Sequence, residues 1–278
     1  MADYPGTVGQ ALAQRGWQVP AFGLSVLRGR RSRYCIVIPV INEGERIGRQ
    51  LRAMAALGIP QAIDTVVVDG GSNDGSLGAE LLEATGLRAV ITKTGQGRLS
   101  AQLRCGYAWA LLQGYDGVIT IDGNGKDGVE SLPNFAAALD DGFDYVQASR
   151  FIAGGEARNT PLSRWLAIRL IHAPVLSIAA RHWLTDTTQG YRAYSARYLL
   201  DQRVQPFRTV FTGYELLAYL TVRAGQIGYR VKELPTSRVY PQGEAVPTKI
   251  SGLAALWNLM AVMLKAFAGA YAPPRRDG

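Results

Sequence analysis

Residues 117–130, GVITIDGNGKDGVE, decide how the rest of the chain is read. Val118, Ile119, Thr120 and Ile121 form a short β-branched run, the pattern of a buried strand. The run stops at Asp122. Residues 123–128, GNGKDG, are too rich in glycine for helix or strand. A carboxylate at the end of a buried strand, followed by a loop with a second carboxylate, is where open α/β sheets place ligand chemistry. A lone Asp-Gly is more simply a polar turn, but three further polar clusters fall at strand ends elsewhere in this chain.

Upstream, residues 34–39 (YCIVIP) read as a first strand stopped by Pro39. Asn42 is expected to cap the following helix, with Glu43 and Glu45 at its positive end. Ile47, Leu51, Met54 and Leu57 follow at helical spacing, and Gly58 closes that helix. Residues 65–68 form a second strand that ends on Asp69 and a polar loop, 70–76. Residues 87–91 form a third, and Gly95, Gln96, Gly97 and Arg98 precede a helix over Leu99–Leu112. Downstream, Ser131 is expected to cap a helix, and residues 145–148 form a strand followed by Ser149, Arg150, Gly154 and Gly155. This alternation predicts an α/β fold, a mostly parallel twisted sheet flanked by helices.

After residue 155 the pattern changes. Residues 161–181 read as one amphipathic helix or two. Residues 186–192 (DTTQGYR) form a polar turn into a short strand, 212–224 a helix carrying Glu215, and 227–234 a strand. An irregular loop with Pro241, Gly243 and Pro247 follows. There is no internal repeat. Residues 1–33 read as a mobile or peripheral arm, 34–250 as the main domain and 251–278 as an apolar helix and tail.

The chain has 278 residues, 47% of them hydrophobic, enough for a large core. Its net charge is +8 and its pI about 9.6, which suits phosphorylated small molecules or an anionic membrane surface. No RRM, zinc-finger or helix-turn-helix pattern is present, so nucleic acid ranks last. Cys35 and Cys105 read as buried thiols. No segment reads as a transmembrane span. Residues 17–27 are short, contain Gln18 and Pro20 and lack a basic leader, so they are not expected to be a signal peptide.

The ordered motifs IPVINEGERI, VVVDGGSNDGS, ITIDGNGKD, ASRFIAGG, DTTQGYRAYS, GYELL and VKELPTSRVYPQGEAVPTKI resemble those of family-2 glycosyltransferases of the GT-A fold. The branch they are most similar to is that of dolichol-phosphate mannosyltransferases and polyprenyl-phosphate glycosyltransferases. The resemblance covers about residues 34–250. It implies a nucleotide-sugar donor, a lipid (polyprenyl) phosphate acceptor at the cytoplasmic membrane face, and inversion at the anomeric carbon. It places Pro39, Asn42, Glu43 and Asp69 around the nucleotide, with Asp69 on the base. Gly97 and Arg98 at a helix start match the family's Gly-Lys pair on the diphosphate, with Arg for Lys. Asp122 and Asn124 match the Asp-x-Asp pair that binds Mg²⁺ or Mn²⁺, but the second Asp is Asn here. Lys126 brings a positive charge that repels a metal, and Asp127 matches a family acid. Arg150, Gln189 and Arg192 match positions near sugar and acceptor, and Arg238 and Lys249 bracket the loop that closes over both. Glu215 resembles the helix acid that serves relatives as a base.

Bland alternatives stand beside these. For Glu43 helix-dipole stabilisation, about 0.3–1 kcal/mol, is the competing reading; for Asp74 a turn-forming role is preferred; for Glu215 it is a salt bridge, since an ionised phosphate acceptor needs no base. His172 and His182 fit no metal spacing. Two rival functions remain: transfer to a glycan or glycolipid, and a non-catalytic nucleotide-sugar-binding protein, motivated by Asn124 and Lys126. The expected location is cytoplasmic, peripheral to the inner membrane face, and an assembly of identical copies is left open.

Overall fold

The computed structural model describes residues 6–240 and 253–274. Among them ten strands form two sheets. The strands are β1 (Phe22–Val26), β2 (Tyr34–Val40), β3 (Asp64–Asp69), β4 (Ala89–Lys93), β5 (Gly117–Thr120), β6 (Tyr145–Ser149), β7 (Glu156–Arg158), β8 (Arg192–Ser195), β9 (Val231–Pro235) and β10 (Ser237–Val239). The main sheet runs β1-β4-β3-β2-β5-β8-β6-β9. β2, β3, β4 and β5 are parallel, as are β6 and β9, whereas β8 is antiparallel to both its neighbours. β7 and β10 pair in a small parallel sheet over the edge.

β2, β3, β5 and β6 are buried along their whole length. That is why they read as continuous apolar runs instead of alternating ones. One core cluster lies on the face covered by the helix Leu99–Leu112; the other lies under the helices Glu45–Ala56 and Leu132–Asp140. Ile36, Ile38, Leu51 and Met54 are fully buried there, each worth about 1.5–3 kcal/mol of apolar transfer. The helix Leu99–Leu112 sits close on the sheet because position 106 is glycine. A Cβ there would lie 2.6 Å from Val37 Cγ1 and 2.8 Å from Val68 Cγ2.

Several expectations change. Part of the 1–33 arm is seated on the sheet: β1 pairs antiparallel with β4, and Trp17 stacks on Phe207 with ring centres 4.2 Å apart. Asn42 does not cap the helix Glu45–Ala56. The cap position is Gly44, and Asn42 Oδ1 instead accepts from Asn73 N–H at 2.9 Å. Ser131 makes no side-chain cap either. Residues 162–180 form one continuous helix, long and apolar enough by length and composition to cross a membrane, where no span was expected. A π-helical segment, Ile168–His172, carries it past Pro174, which has no N–H to donate. Lys249 and most of the loop after β10 lie outside the described residues.

Candidate active site

The carboxyl ends of β2, β3, β4 and β5 open onto one cavity of about 970 Å³, the size of a ligand site. Pro39, Glu43, Gly97, Arg98, Asp122, Asn124, Arg150, Arg192 and Arg238 line it. Asn42, Asp69, Asp127, Gln189 and Glu215 are not among its lining residues. Eight basic side chains and two carboxylates, Glu43 and Asp122, face it.

On the β2–β3 side, carboxylates are answered by backbone N–H groups. Asp69 Oδ1 accepts from the backbone N–H of Gly71 and Ser72, at 3.2 and 2.9 Å, and from Ser72 Oγ at 2.7 Å. Asp69 therefore shapes the loop whose Gly70 lines the cavity. Asp74 ties the two loops together by accepting from Gly44 N–H at 2.8 Å. A hydrogen bond from Ser76 is the main reason that its carboxyl is held below its usual range. Glu43 is buried and paired with Arg46 at 3.0 Å. Arg98 is fixed by its N–H donating to Thr212 O at 2.7 Å.

After β5, Asp122 projects into the cavity. Gly190 is required beside it, because a Cβ there would lie 2.2 Å from Asp122 Oδ1. Asp127 is fully buried and takes Arg238 Nη1 with both oxygens at 2.7 Å, while Asp122 is 3.8 Å from Arg238 Nη2. Burial opposes the charge on Arg238, but the carboxylates of Asp127 and then Asp122 outweigh it and push the guanidinium pKa up. Burial, then Arg238, pushes Lys126 down. The Asn124 amide turns its nitrogen to Asp122 (3.4 Å), and its Oδ1 accepts from Lys126 N–H (3.2 Å). The amide oxygen assigned to a metal is thus engaged within the loop. Among the described residues no group of three or more His, Cys, Asp or Glu side chains could hold a metal ion. One carboxylate between two cations fits an ion only when a ligand supplies most of the oxygens.

On the β6–β8 side the charges are paired ions. Arg150 and Asp186 are buried and joined at 2.7 and 3.2 Å. Burial alone would raise the Asp186 carboxyl, but Arg150, Gln189 and Thr188 hold it low. Arg150 Nη2 also donates to Thr188 Oγ1 at 3.0 Å, whereas its Nη1 is buried with no partner, as is Nε of Arg238. Gln189 belongs to this structure, donating to Asp186 at 2.8 Å. All three nitrogens of Arg192 donate to protein acceptors: Gln189 O, Leu217 O, Thr221 Oγ1 and Thr187 O. Arg192 therefore braces the cavity floor and is a positioning residue. Glu215 folds back on its own helix start, where Oε2 accepts from Gly213 N–H at 2.6 Å. That bond engages the carboxylate the resemblance assigns to catalysis.

Arg164, His172 and Tyr240 are among the lining residues to which the sequence assigned no site role. Arg164 lies in the apolar helix and donates to Tyr240 at 3.1 Å. His172 bonds Thr187 at 3.1 Å, and burial pushes its pKa down to about 4. Tyr240 was read only as part of an irregular loop. Basic and aromatic residues among apolar neighbours carry no local signal of where they converge. The cavity is also lined by Ala167, Ile168, Leu217, Leu259, Val262 and Met263, from three helices that pack together. Cys35 and Cys105 are free and buried.

The family model described as Glycosyl transferase family 2 matches residues 35–201. The chain is 32% identical over 231 residues to a polyprenol monophosphomannose synthase of Mycolicibacterium smegmatis, covering 79% of this chain and 82% of that protein. It is 30% identical over 226 residues to an undecaprenyl-phosphate mannosyltransferase of Micrococcus luteus, covering 79% and 88%. Among solved structures it resembles glucosyl-3-phosphoglycerate synthase from Mycobacterium tuberculosis in complex with Mn²⁺, UDP and phosphoglyceric acid. That match has a TM-score of 0.57 and 16% identity and covers 100% of this chain and 87% of that one. Mannosyl-3-phosphoglycerate synthase from Rubrobacter xylanophilus gives a TM-score of 0.60 at 15% identity, covering 96% and 78%.

Proposed function

Because this chain belongs to glycosyltransferase family 2 and has the GT-A fold, we propose that it transfers a hexose, with inversion, from a nucleotide-sugar donor to a polyprenyl phosphate. The observation that carries this reading is a single cavity lined both by Arg150, Arg164 and Arg238 and by the apolar flanks of three helices; one guanidinium nitrogen of Arg150 and one of Arg238 are buried with no hydrogen-bond partner. An amphiphile with an anionic head and an isoprenoid chain matches both linings. The relatives named as polyprenol and undecaprenyl-phosphate mannosyl enzymes support the same acceptor class.

The donor nucleotide enters over Pro39, Glu43 and Gly70, and its diphosphate meets Arg98 and Lys126. Asp122 lies where the transferring sugar and diphosphate meet. A divalent ion brought in by the diphosphate would be held on the protein side by Asp122, and would supply electrostatic stabilisation of the leaving group. The acceptor phosphate sits against Arg150 Nη1 and Arg164. One of its oxygens attacks the anomeric carbon from the face opposite the diphosphate. The new C–O bond forms as the old one breaks, and the electron pair leaves with the nucleoside diphosphate. A phosphate acceptor is already ionised, so no general base is needed.

We assign this chemistry to residues 34–250, and the flanking apolar helices to the inner face of the cell membrane. Leu162, Leu170, Ile178, Trp183 and Trp257 are each at least 65% exposed; Arg164 and Arg169 lie on the 162–180 segment and Arg181 directly follows it. That pattern suits an anionic lipid interface.

The test is nucleotide release from a panel of nucleotide sugars offered with polyprenyl phosphate, with its dephosphorylated alcohol, or with a soluble glycan. Release with the phosphate alone, abolished in Asp122→Ala, is the expected result. Release with the glycan overturns the acceptor assignment.

A further inference from the structure

Tyr240 follows β10 on the cavity wall and is only 3% exposed. Its N–H donates to Arg158 O and its carbonyl accepts from Asn159 Nδ2, both at 3.1 Å, so its backbone is pinned. Around the ring stand cations from three separate elements. Lys126 Nζ, from the loop after β5, lies 5.3 Å from the ring centre. The guanidinium carbons of Arg164, from the helix Leu162–Ala167, and of Arg238, on β10, lie 5.5 and 5.8 Å away. Arg164 Nη1 also donates to the phenol oxygen at 3.1 Å. The neighbouring carboxylates are turned elsewhere: Asp127 is closed on Arg238 and Asp122 lies on its far nitrogen. Tyr240 thus offers these cations a π face and, to Arg164, an acceptor oxygen.

We infer that Tyr240 is a positioning residue that holds Arg164 and Lys126 beside the unpartnered Nη1 of Arg150, and that it yields its share of that positive field to an incoming phosphate monoester. This rests on reading the cavity as the acceptor site. The phenol is set up for such an exchange. Burial works to raise its pKa, but Arg238, the Arg164 hydrogen bond and Arg150 outweigh burial and bring it down to about 8. The eleven other described tyrosines are all shifted upward, with burial the first cause in each. A bound phosphate dianion uses the same cations, so it must drive the phenol back toward its protonated form. By reciprocity, phosphate binding is strongest below about pH 8 and weakens as pH rises through it, by at most about tenfold per unit.

Spectrophotometric titration of tyrosinate in the full-length protein tests this. One of the 13 tyrosines should ionise near pH 8 in the wild type. That transition should vanish in Tyr240→Phe and move upward in Arg164→Gln, which gives a second readout should the first variant fold poorly. Geranyl phosphate, a dianion across this range, should raise the midpoint by about one unit, whereas UDP or GDP, whose diphosphate meets this cluster only at Lys126, should raise it by less. If no phenol ionises below pH 9, Tyr240 is not held in this way, and the acceptor reading stands on its own assay. If the phenol ionises near pH 8 but responds at least as strongly to the nucleoside diphosphate as to geranyl phosphate, or to neither ligand, the link to the acceptor phosphate is overturned.

Discussion

Asp69 and Asp186 are both buried carboxylates beside loops at the cavity, yet their charges are met differently. Asp69 is answered by two backbone N–H groups and a serine hydroxyl, so the acceptor oxygen is satisfied within its own loop. Asp186 is answered by Arg150, whose fork is larger than the carboxylate needs, and Nη1 is left without a partner. The first arrangement orders a loop against which a flat base and ribose can rest. The second leaves a guanidinium N–H without an acceptor in a water-poor wall and so creates demand for one, such as a phosphate oxygen. This difference in unmet hydrogen-bond donors, more than the net charge of +8, indicates where a phosphate goes.

The largest effect expected from breaking this contrast is on stability. In Asp186→Ala, Arg150 stays buried and unpaired, which should cost about 3–5 kcal/mol in urea unfolding. The pH dependence has a defined sign. The Asp186 carboxyl is held below its unfolded value, so its contribution is present at neutral pH and is lost as pH falls through and below the ordinary carboxylate range. Asp186→Asn should flatten that acid limb. An unchanged limb would mean that the pair is not ionic.

Next comes Asp122, where the two regions meet. Asp122→Ala should lower turnover by about 10²–10³, or about 2.7–4 kcal/mol, with nucleotide affinity largely kept. Gly190→Ala should approach the same loss without touching a charged residue, since the new Cβ collides with Asp122 Oδ1. Steady-state kinetics with an unchanged melting temperature would establish this. Full activity in Gly190→Ala would show that the carboxylate can work from a displaced position.

Smaller again is Asp69→Ala. Without its acceptor oxygen the loop after β3 loses three hydrogen bonds, and nucleotide affinity should fall about tenfold, roughly 1.4 kcal/mol, with the fold intact. Unchanged affinity by calorimetry would remove Asp69 from the base site.

What was legible in the sequence follows from how local each cause is. The strand ends at Asp69 and just before Asp122 were legible because β-branched runs mark parallel strands. β1 was missed because FGLSV becomes a strand only by pairing with β4, far along the chain. The saturation of Arg192 was hidden because its acceptors are backbone carbonyls, which no side-chain motif reports. Tyr240 and Arg164 are 76 residues apart, and neither has a neighbour that hints at the other.

Glu215 gives the smallest and most discriminating effect. Resemblance assigns it to chemistry, but its carboxylate is bonded to Gly213 N–H at the start of its own helix and does not line the cavity. Glu215→Gln keeps an acceptor oxygen for that N–H and removes only the charge at the helix start. The loss should stay within about 0.3–1 kcal/mol of stability, with turnover within about twofold of wild type. An inverting transfer to an ionised phosphate has no proton for Glu215 to take, so a near-silent variant is also what that acceptor requires. If Glu215→Gln instead cuts turnover a hundredfold while the melting temperature holds, the side chain must swing into the cavity during the reaction. The acceptor would then be a hydroxyl that needs a base, and the positive wall around Arg150 would have to serve the donor alone.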